Sequence, residues 1–160
     1  MLRLSALPEN SRIWIFPLES DVGQECQETL RHELDRILAT WKAHGSPLMG
    51  VADILSDRFI FIAADEAHTA ASGCSIDALF RQVQMAAAAS GVQLASPDTV
   101  HFRDGLTIVG LSRNEFGKLV ATGAIRPETK VFDNSITVLE QLNSGRWELP
   151  FSESWHSRAF

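Results

Sequence analysis

The chain has 160 residues and a formal net charge of −6, with 45% apolar and 21% charged residues. This length suits one domain that can bury a core without metals or disulfides. An acidic chain whose 14 basic residues are scattered predicts no nucleic-acid partner and no binding to an anionic membrane surface, because both need clustered Lys and Arg.

The apolar and cysteine content predicts a cytoplasmic protein. No apolar run approaches the roughly 20 residues needed to span a bilayer, and the first residues lack a signal-peptide core. Cys26 and Cys74 are the two cysteines. In a cytoplasmic protein we expect them to be reduced thiols. Neither a cofactor nor a membrane partner is expected.

The first part of the chain predicts a strand followed by a helix. Ser11–Leu18 is apolar on both faces, which is typical of a central strand, and Pro17 is expected near its end. From residue 24 to residue 43 the apolar residues recur with a helical period. His44-Gly45 is expected to close this helix, since glycine accepts the left-handed conformation at a helix stop.

The middle of the chain predicts a hairpin, a second helix and a second pair of strands. The hairpin turns at Ser56-Asp57, and Gly91 stops the helix. The order β-α-β-β-α-β with one further strand predicts an α+β fold with a ferredoxin-like βαββαβ core and a mainly antiparallel sheet. These elements are expected over Leu48–Leu55, Arg58–Ala64, Ser75–Ser90, Thr99–Phe102 and Leu106–Leu111.

The tail predicts a C-terminal helical extension. Asn114 is expected to cap a short helix that ends near Thr122, and a last helix is expected over about Ser135–Leu142. Residues 1–160 are expected to form a single domain, with its core at about 11–112 and the extension at about 113–160.

A ferredoxin-like topology would bring three chemically useful side chains to one edge of the sheet. Cys74 would be a nucleophile at the start of the second helix, where the helix dipole favours a thiolate. His44 would be its base and Asp65 would orient the imidazole. The alternatives are that Ser72 or Ser75 caps the helix beside a buried Cys74, and that His44 interacts with the last helical carbonyls.

Ligand-binding residues are expected at the same edge and in the tail. Arg12, Glu66 and Ser75 would share the edge, beside free N–H groups that suit an anion. His156 and Arg158 of the tail could also reach an anion. The alternative for the tail is that Trp147 and Trp155 are apolar anchors that pack onto the domain. A metal site is not expected, because adjacent carboxylates such as Asp65-Glu66 point in different directions and zinc motifs are absent from the sequence.

One glycine-containing segment resembles a phosphate-binding loop without meeting its requirements. Six residues separate Gly110 from Gly117 where four are needed, and Leu119 stands where a Ser or Thr would bind magnesium. The motif therefore predicts no ATP binding.

Six segments together resemble a family of short, uncharacterised bacterial proteins that are often labelled ABC-transporter ATPases although they lack Walker motifs. The resemblance covers nearly the whole chain. It implies a single-domain cytoplasmic protein and carries over no chemistry. The segments are Trp41–Leu48, Arg58–Ile62, Asp65-Glu66, Gly73–Asp77, Val131–Ser135 and Ser154–Arg158.

Two functions of different classes follow from the sequence. The first is a small-ligand-binding or protein-interaction domain, with a small anionic ligand or a homodimer as the partner; the exposed aromatics would be Trp14, Trp147, Trp155 and Phe160. The alternative is a thiol-dependent hydrolase or acyltransferase that uses Cys74 and His44.

Overall fold

The most apolar segment of the chain becomes the middle strand of a sheet in the computed structural model, which describes residues 3–160. This strand is β5, and its residues from Phe59 to Ala64 are all buried. The described chain is α+β with mainly antiparallel sheets. Its helices and strands are β1 (Arg12–Pro17), α1 (Gln24–Ala39), β2 (Lys42–Ala43), β3 (Ser46–Pro47), β4 (Met49–Leu55), β5 (Phe59–Asp65), α2 (Gly73–Ala89), β6 (Thr99–Asp104), β7 (Thr107–Ser112), α3 (Arg113–Ala121), β8 (Lys130–Phe132), α4 (Leu139–Asn143), β9 (Glu148–Pro150) and α5 (His156–Ala159).

These elements fall into two compact units, each with its own core. The first unit contains the described residues up to Ala95 together with Thr137–Glu140, and the second contains Ser96–Ile136 and Gln141–Phe160. The boundary between them lies before β6, whereas the sequence predicted that the core would continue to about residue 112. That the chain is a single domain stays a prediction.

The first unit is built on a three-stranded antiparallel sheet with the order β1-β5-β4. Ile13 lies opposite Ala63, and Ala52 lies opposite Ile62. Side chains from α1 and α2 complete the core, because their apolar stripes face this sheet. The predicted β4–β5 hairpin is confirmed: Leu55 pairs with Phe59, and Ser56 and Asp57, both with positive φ, are the central residues of a turn closed by the Arg58 N–H on the Leu55 carbonyl.

A ferredoxin-like βαββαβ core is not confirmed. The nine strands of residues 3–160 form three sheets, and β6, which was expected to join the sheet of β1, pairs with β7 and β8 instead. The connection that follows α2 contributes only an isolated antiparallel bridge from Leu94 to Leu18. The sequence therefore predicted correctly that β6 is a strand, but it predicted the wrong strands as its neighbours in the sheet.

The first helix ends four residues earlier than expected, which moves His44. The helix stops at Ala39, and the N–H groups of Thr40 and Trp41 donate to the carbonyls of Ile37 and Leu38, respectively. His44 and Gly45, with φ of 52° and 79°, form the turn between β2 and β3. Positive φ serves both a helix stop and a two-residue hairpin turn, so this dipeptide could not distinguish them.

The second helix begins with a complete capping box. The Ser72 hydroxyl accepts from the N–H of Ser75, and the Ser75 hydroxyl accepts from the N–H of Ser72. The prediction that Ser72 or Ser75 caps this helix is therefore confirmed. Cys74, however, is exposed, so the alternative that it fills a buried space is wrong.

The second unit contains a four-stranded antiparallel sheet with the order β7-β6-β8-β9. Phe116 of α3 is fully buried beside Phe102 and Val131. The predicted cap at Asn114 is wrong: Ser112 caps α3, and the Glu115 carboxylate accepts from the Ser112 N–H. This Ser-x-x-Glu pattern is a capping box that was readable from the sequence.

The last predicted helix begins later than expected. Helix α4 starts at Leu139 rather than near Ser135, because Asp133 accepts from the Ser135 N–H and holds this stretch in a turn. The backbone from Thr137 to Leu139 pairs with residues at and just before the start of β1. The Ile13 N–H donates to the Thr137 carbonyl at 2.8 Å, and the Leu139 N–H donates to the Ser11 carbonyl at 2.9 Å.

Candidate functional site

The three side chains predicted to act in catalysis all lie in the first unit, and no hydrogen bond links them to one another. Cys74 is exposed in the first turn of α2, and His44 is exposed in the β2–β3 turn. Strand β2 lies against α2, and Trp41 donates its indole N–H to the Ser75 carbonyl at 2.9 Å. The structure shows no hydrogen bond between His44 and Cys74, so their cooperation stays a prediction.

The acidic pair after β5 is used in local turns. One Asp65 oxygen accepts from the Ala67 N–H at 3.0 Å, and one Glu66 oxygen accepts from the Ala71 N–H at 2.7 Å. The Ser75 hydroxyl completes the capping box, and the Arg12 guanidinium lies 4.9 Å from the centre of the Trp14 ring. Each of these side chains therefore has a structural contact. That they bind a ligand stays a prediction.

Two surface pockets of the first unit are lined by charged side chains that already form ion pairs. One, of about 330 Å³, is lined by Glu33 and Arg36, which form an ion pair at 2.8 Å. The other, of about 350 Å³, is lined by Asp35, which pairs with Arg3 at 2.8 Å. The charged side chains named in these two pockets therefore need no charged ligand as a partner. Among residues 3–160, no three His, Cys, Asp or Glu side chains are placed to hold a metal ion.

The second unit contains a smaller cavity whose wall is polar. Its volume is about 210 Å³. The wall combines the start of β6, the first residue of α3, the turn after β8 and the start of α5. It consists of Pro97, Asp98, Thr99, Val100, Arg113, Phe132, Asn134, Ser135, Trp155 and His156.

His156 is the most buried polar side chain in this wall, with 2% of its surface exposed. Its Nδ1 lies 2.9 Å from the Ser154 hydroxyl, which also accepts from the His156 backbone N–H at 3.1 Å. Ser154 is itself 1% exposed. Within residues 3–160, Nδ1 is the only acceptor in reach of the Ser154 hydroxyl proton, so Ser154 donates to Nδ1.

This hydrogen bond decides the tautomer of His156. A neutral imidazole whose Nδ1 accepts must carry its proton on Nε2. Nε2 has no hydrogen-bond partner among the described residues. His156 therefore offers an N–H donor in the cavity wall that no described protein group uses. Nε2 is not among the fully buried unpaired atoms of the described residues, so this donor is open to the contents of the cavity.

Burial also keeps this imidazole uncharged. It lowers the pKa of His156 from its ordinary 6.5 to about 4, with Arg113 adding to the decrease and Asp133 opposing it. Burial has this effect because the charged form loses its hydration. At neutral pH the side chain is therefore a neutral hydrogen-bond donor.

Arg113 supplies the positive charge of the cavity. Its guanidinium carbon lies 5.0 Å from the centre of the Phe160 ring and 5.8 Å from the centre of the Trp155 ring. These cation–π contacts orient the guanidinium without neutralising it. Among residues 3–160, no carboxylate lies within ion-pair distance of Arg113.

Asn134 adds a second set of unused donors. The Trp147 indole N–H donates to Asn134 Oδ1 at 2.9 Å. An indole N–H can only donate, so the amide orientation is fixed with oxygen toward Trp147 and the NH₂ group away from it. The described residues provide no acceptor for that NH₂ group.

Negative charge is also present around the cavity. Asp98 is part of the wall, and one of its oxygens accepts from the Ser96 hydroxyl. Asp133 accepts from the Trp155 indole N–H at 3.0 Å and thereby holds that ring in place. The Trp155 ring stacks on the His156 ring with 3.9 Å between centroids.

The sequence had singled out only part of this arrangement. His156 lies in the wall, whereas Arg158 is exposed and is not among the lining residues. Trp147 and Trp155 do pack within the chain, as the alternative for the tail predicted. Arg113, Asn134 and Asp98 were missed as site residues, since each belongs to a different segment and no local motif links them.

Comparison with family models, with curated proteins and with solved structures finds no match to this chain. The resemblance to short bacterial proteins therefore stays a prediction. No helix within residues 3–160 is both long enough and apolar enough to cross a membrane.

Proposed function

We propose that this protein binds a small molecule in the cavity of its second unit. One observation carries the proposal: His156 is 98% buried yet has an Nε2–H donor that no described protein group accepts. This donor is not enclosed by protein, so it can reach a molecule bound in the cavity. A ligand in the cavity would supply the missing acceptor.

The other walls support a binding role. Aromatic side chains give the cavity an apolar part, and Arg113 and Asn134 give it polar groups in fixed orientations. This mixture is typical of ligand sites. A volume of about 210 Å³ is below the usual range for drug-sized ligands, so the ligand is expected to be small.

The ferredoxin-like relation is proposed for the first unit alone. Across this unit, the Leu94 bridge lies beside Leu18 at the end of β1, and β5 and β4 follow in the sheet. This order supports a split βαβ arrangement in which the last strand is reduced to a single bridge. The cytoplasmic location and the homodimer are likewise kept as proposals. The enzyme that would use Cys74 and His44 is the alternative function.

A thermal-shift screen tests the binding proposal. The probes are small carboxylates, inorganic phosphate, small amines and neutral amides. At least one of these classes should raise the melting temperature of the wild type, because a ligand that binds the folded state stabilises it. The effect of that class should change in Arg113→Ala, becoming smaller for carboxylates, phosphate and amides and larger for amines, and should be unchanged in Arg158→Ala as the matched control. The absence of any shift, or an equal shift in all three proteins, would contradict the proposal.

A further inference from the structure

We infer that the ligand of this cavity is a small monocarboxylate, held by its carboxylate group on His156, Asn134 and Arg113. This inference rests on the proposed binding function and specifies the class of ligand. It depends on which atoms of the wall are left without protein partners.

The unused polar atoms of these three side chains are all donors. His156 presents Nε2–H, because its Nδ1 is occupied by Ser154. Asn134 presents its NH₂ group, because its oxygen is occupied by Trp147. Arg113 has donors only. A ligand that satisfies them must bring several acceptors and no proton of its own, as a carboxylate does.

The charges around the cavity disfavour a ligand with more than one negative charge. Arg113 is the one cation in the cavity wall, while Asp98 stands in the same wall and Asp133 lies just behind Trp155. A monocarboxylate brings a single negative charge, which can pair directly with Arg113 because that guanidinium has no ion-pair partner among the described residues. Phosphate and dicarboxylates bring a second negative charge, which the two aspartates repel.

The remaining walls fit an apolar body attached to the carboxylate. Phe132 and Trp155 supply aromatic surfaces, and Val100 supplies an aliphatic one. The planar guanidinium of Arg113 suits a planar carboxylate, since the two can form a pair of parallel hydrogen bonds. A flat acid such as benzoate and a short aliphatic acid such as butyrate are therefore the appropriate probes.

Isothermal titration calorimetry tests the inference with matched compounds. The probes are benzoate and butyrate, their amides, succinate and inorganic phosphate. The two monocarboxylates should bind, with their amides weaker by about tenfold or more because the charge-assisted hydrogen bonds are lost. Succinate and phosphate should also bind more weakly. Equal or tighter binding of the amides, of succinate or of phosphate would overturn the inference.

Two conservative variants test the residues without disturbing the packing. Asn134→Asp keeps an oxygen for the Trp147 indole and replaces the NH₂ donors by negative charge, so monocarboxylate binding should fall about tenfold or more. Asp98→Asn removes one of the two repelling carboxylates, so the difference in affinity between monocarboxylates and phosphate should become smaller. Unchanged affinity in Asn134→Asp, with near-ultraviolet circular dichroism like that of the wild type, would overturn the inference.

A third variant is the matched control. Arg158→Ala removes one positive charge of the same unit from a residue outside the cavity wall, and monocarboxylate affinity should stay that of the wild type. Failure of the inference is distinguishable from failure of the proposed function. If an amine or an amide binds in the cavity and carboxylates do not, the ligand class is wrong and the site stands. If no probe binds, both fail.

Discussion

At the scale of single residues, the proposed site depends on a histidine that is both buried and neutral. Ser154 fixes the tautomer of His156, and burial depresses its pKa to about 4. The sequence indicated that His156 could reach an anion, but it gave no sign that Ser154, two residues earlier, would occupy Nδ1. That contact depends on the short turn of α5, which propensity and hydrophobic period do not specify.

The depressed pKa predicts how the stability changes with acid. Unfolded His156 takes up a proton near pH 6.5 and folded His156 only near pH 4, so the unfolded state binds more protons between these values. The free energy of unfolding should therefore fall as the pH falls through this window, by up to about 3 kcal/mol from this group.

Comparison with His156→Gln isolates this contribution, because glutamine is polar and does not titrate. Urea unfolding of both proteins, followed by tryptophan fluorescence between about pH 7 and about pH 4, measures it. The wild type should lose stability relative to the variant as the pH decreases. A difference between the two proteins that does not change with pH would show that the folded-state pKa is not depressed.

At the scale of elements, local patterns predicted where strands form better than they predicted which strands pair with each other. Strand β5 was predictable because Phe59–Ala64 is apolar on both faces, and the Ser56-Asp57 turn because Ser and Asp are common turn residues. The hairpin at His44-Gly45 was taken for a helix stop, since both need the same backbone conformation. The pairing of β6 with β8 was not predictable, because it joins segments about thirty residues apart.

The capping box of α3 is the element on which the position of Arg113 depends. Ser112→Ala removes the hydroxyl that accepts from the Glu115 N–H and should cost about 1 kcal/mol of stability. The Ser112 hydrogen bonds also lower the pKa of Glu115. The stabilisation they give is therefore present above the ordinary pKa of a glutamate and is lost as the pH falls through the lowered value.

Chemical denaturation at neutral and at acidic pH checks this prediction. Ser152→Ala is the control: Ser152 is an exposed serine of the same unit whose hydroxyl has no hydrogen bond within the described chain, so its loss should change the stability by less than about 0.5 kcal/mol. The loss in Ser112→Ala should shrink in acid. Equal losses in the two variants would contradict the capping role.

At the scale of the whole molecule, the chain has two cores that are composed of different residues. Leu34 is fully buried in the core of the first unit, and Phe116 is fully buried in that of the second. The sequence supplied both sets of apolar residues and no signal for the division, because the first unit also takes Thr137–Glu140 from the later part of the chain.

Separate cores predict separate effects of core mutations. Phe116→Ala should cost about 3–5 kcal/mol and Leu34→Ala about 2–5 kcal/mol, since each leaves a cavity. Hydrogen exchange followed by mass spectrometry should show that Phe116→Ala loses protection mainly in β6 and β8, and that Leu34→Ala loses it mainly in β4 and β5. The same loss of protection throughout the chain in both variants would contradict two separate cores.

The central claim is that a small molecule occupies the cavity beside His156, and the indole signals of the four tryptophans test it most directly. Trp155 lines the cavity and Trp147 bonds Asn134, whereas Trp14 and Trp41 belong to the first unit. During titration with the small acids, amines and amides, nuclear magnetic resonance should show the largest shift for the indole N–H signal of Trp155 and a smaller one for that of Trp147. The signals of Trp14 and Trp41 should not move. Shifts confined to Trp14 and Trp41, or no shift with any compound, would contradict it.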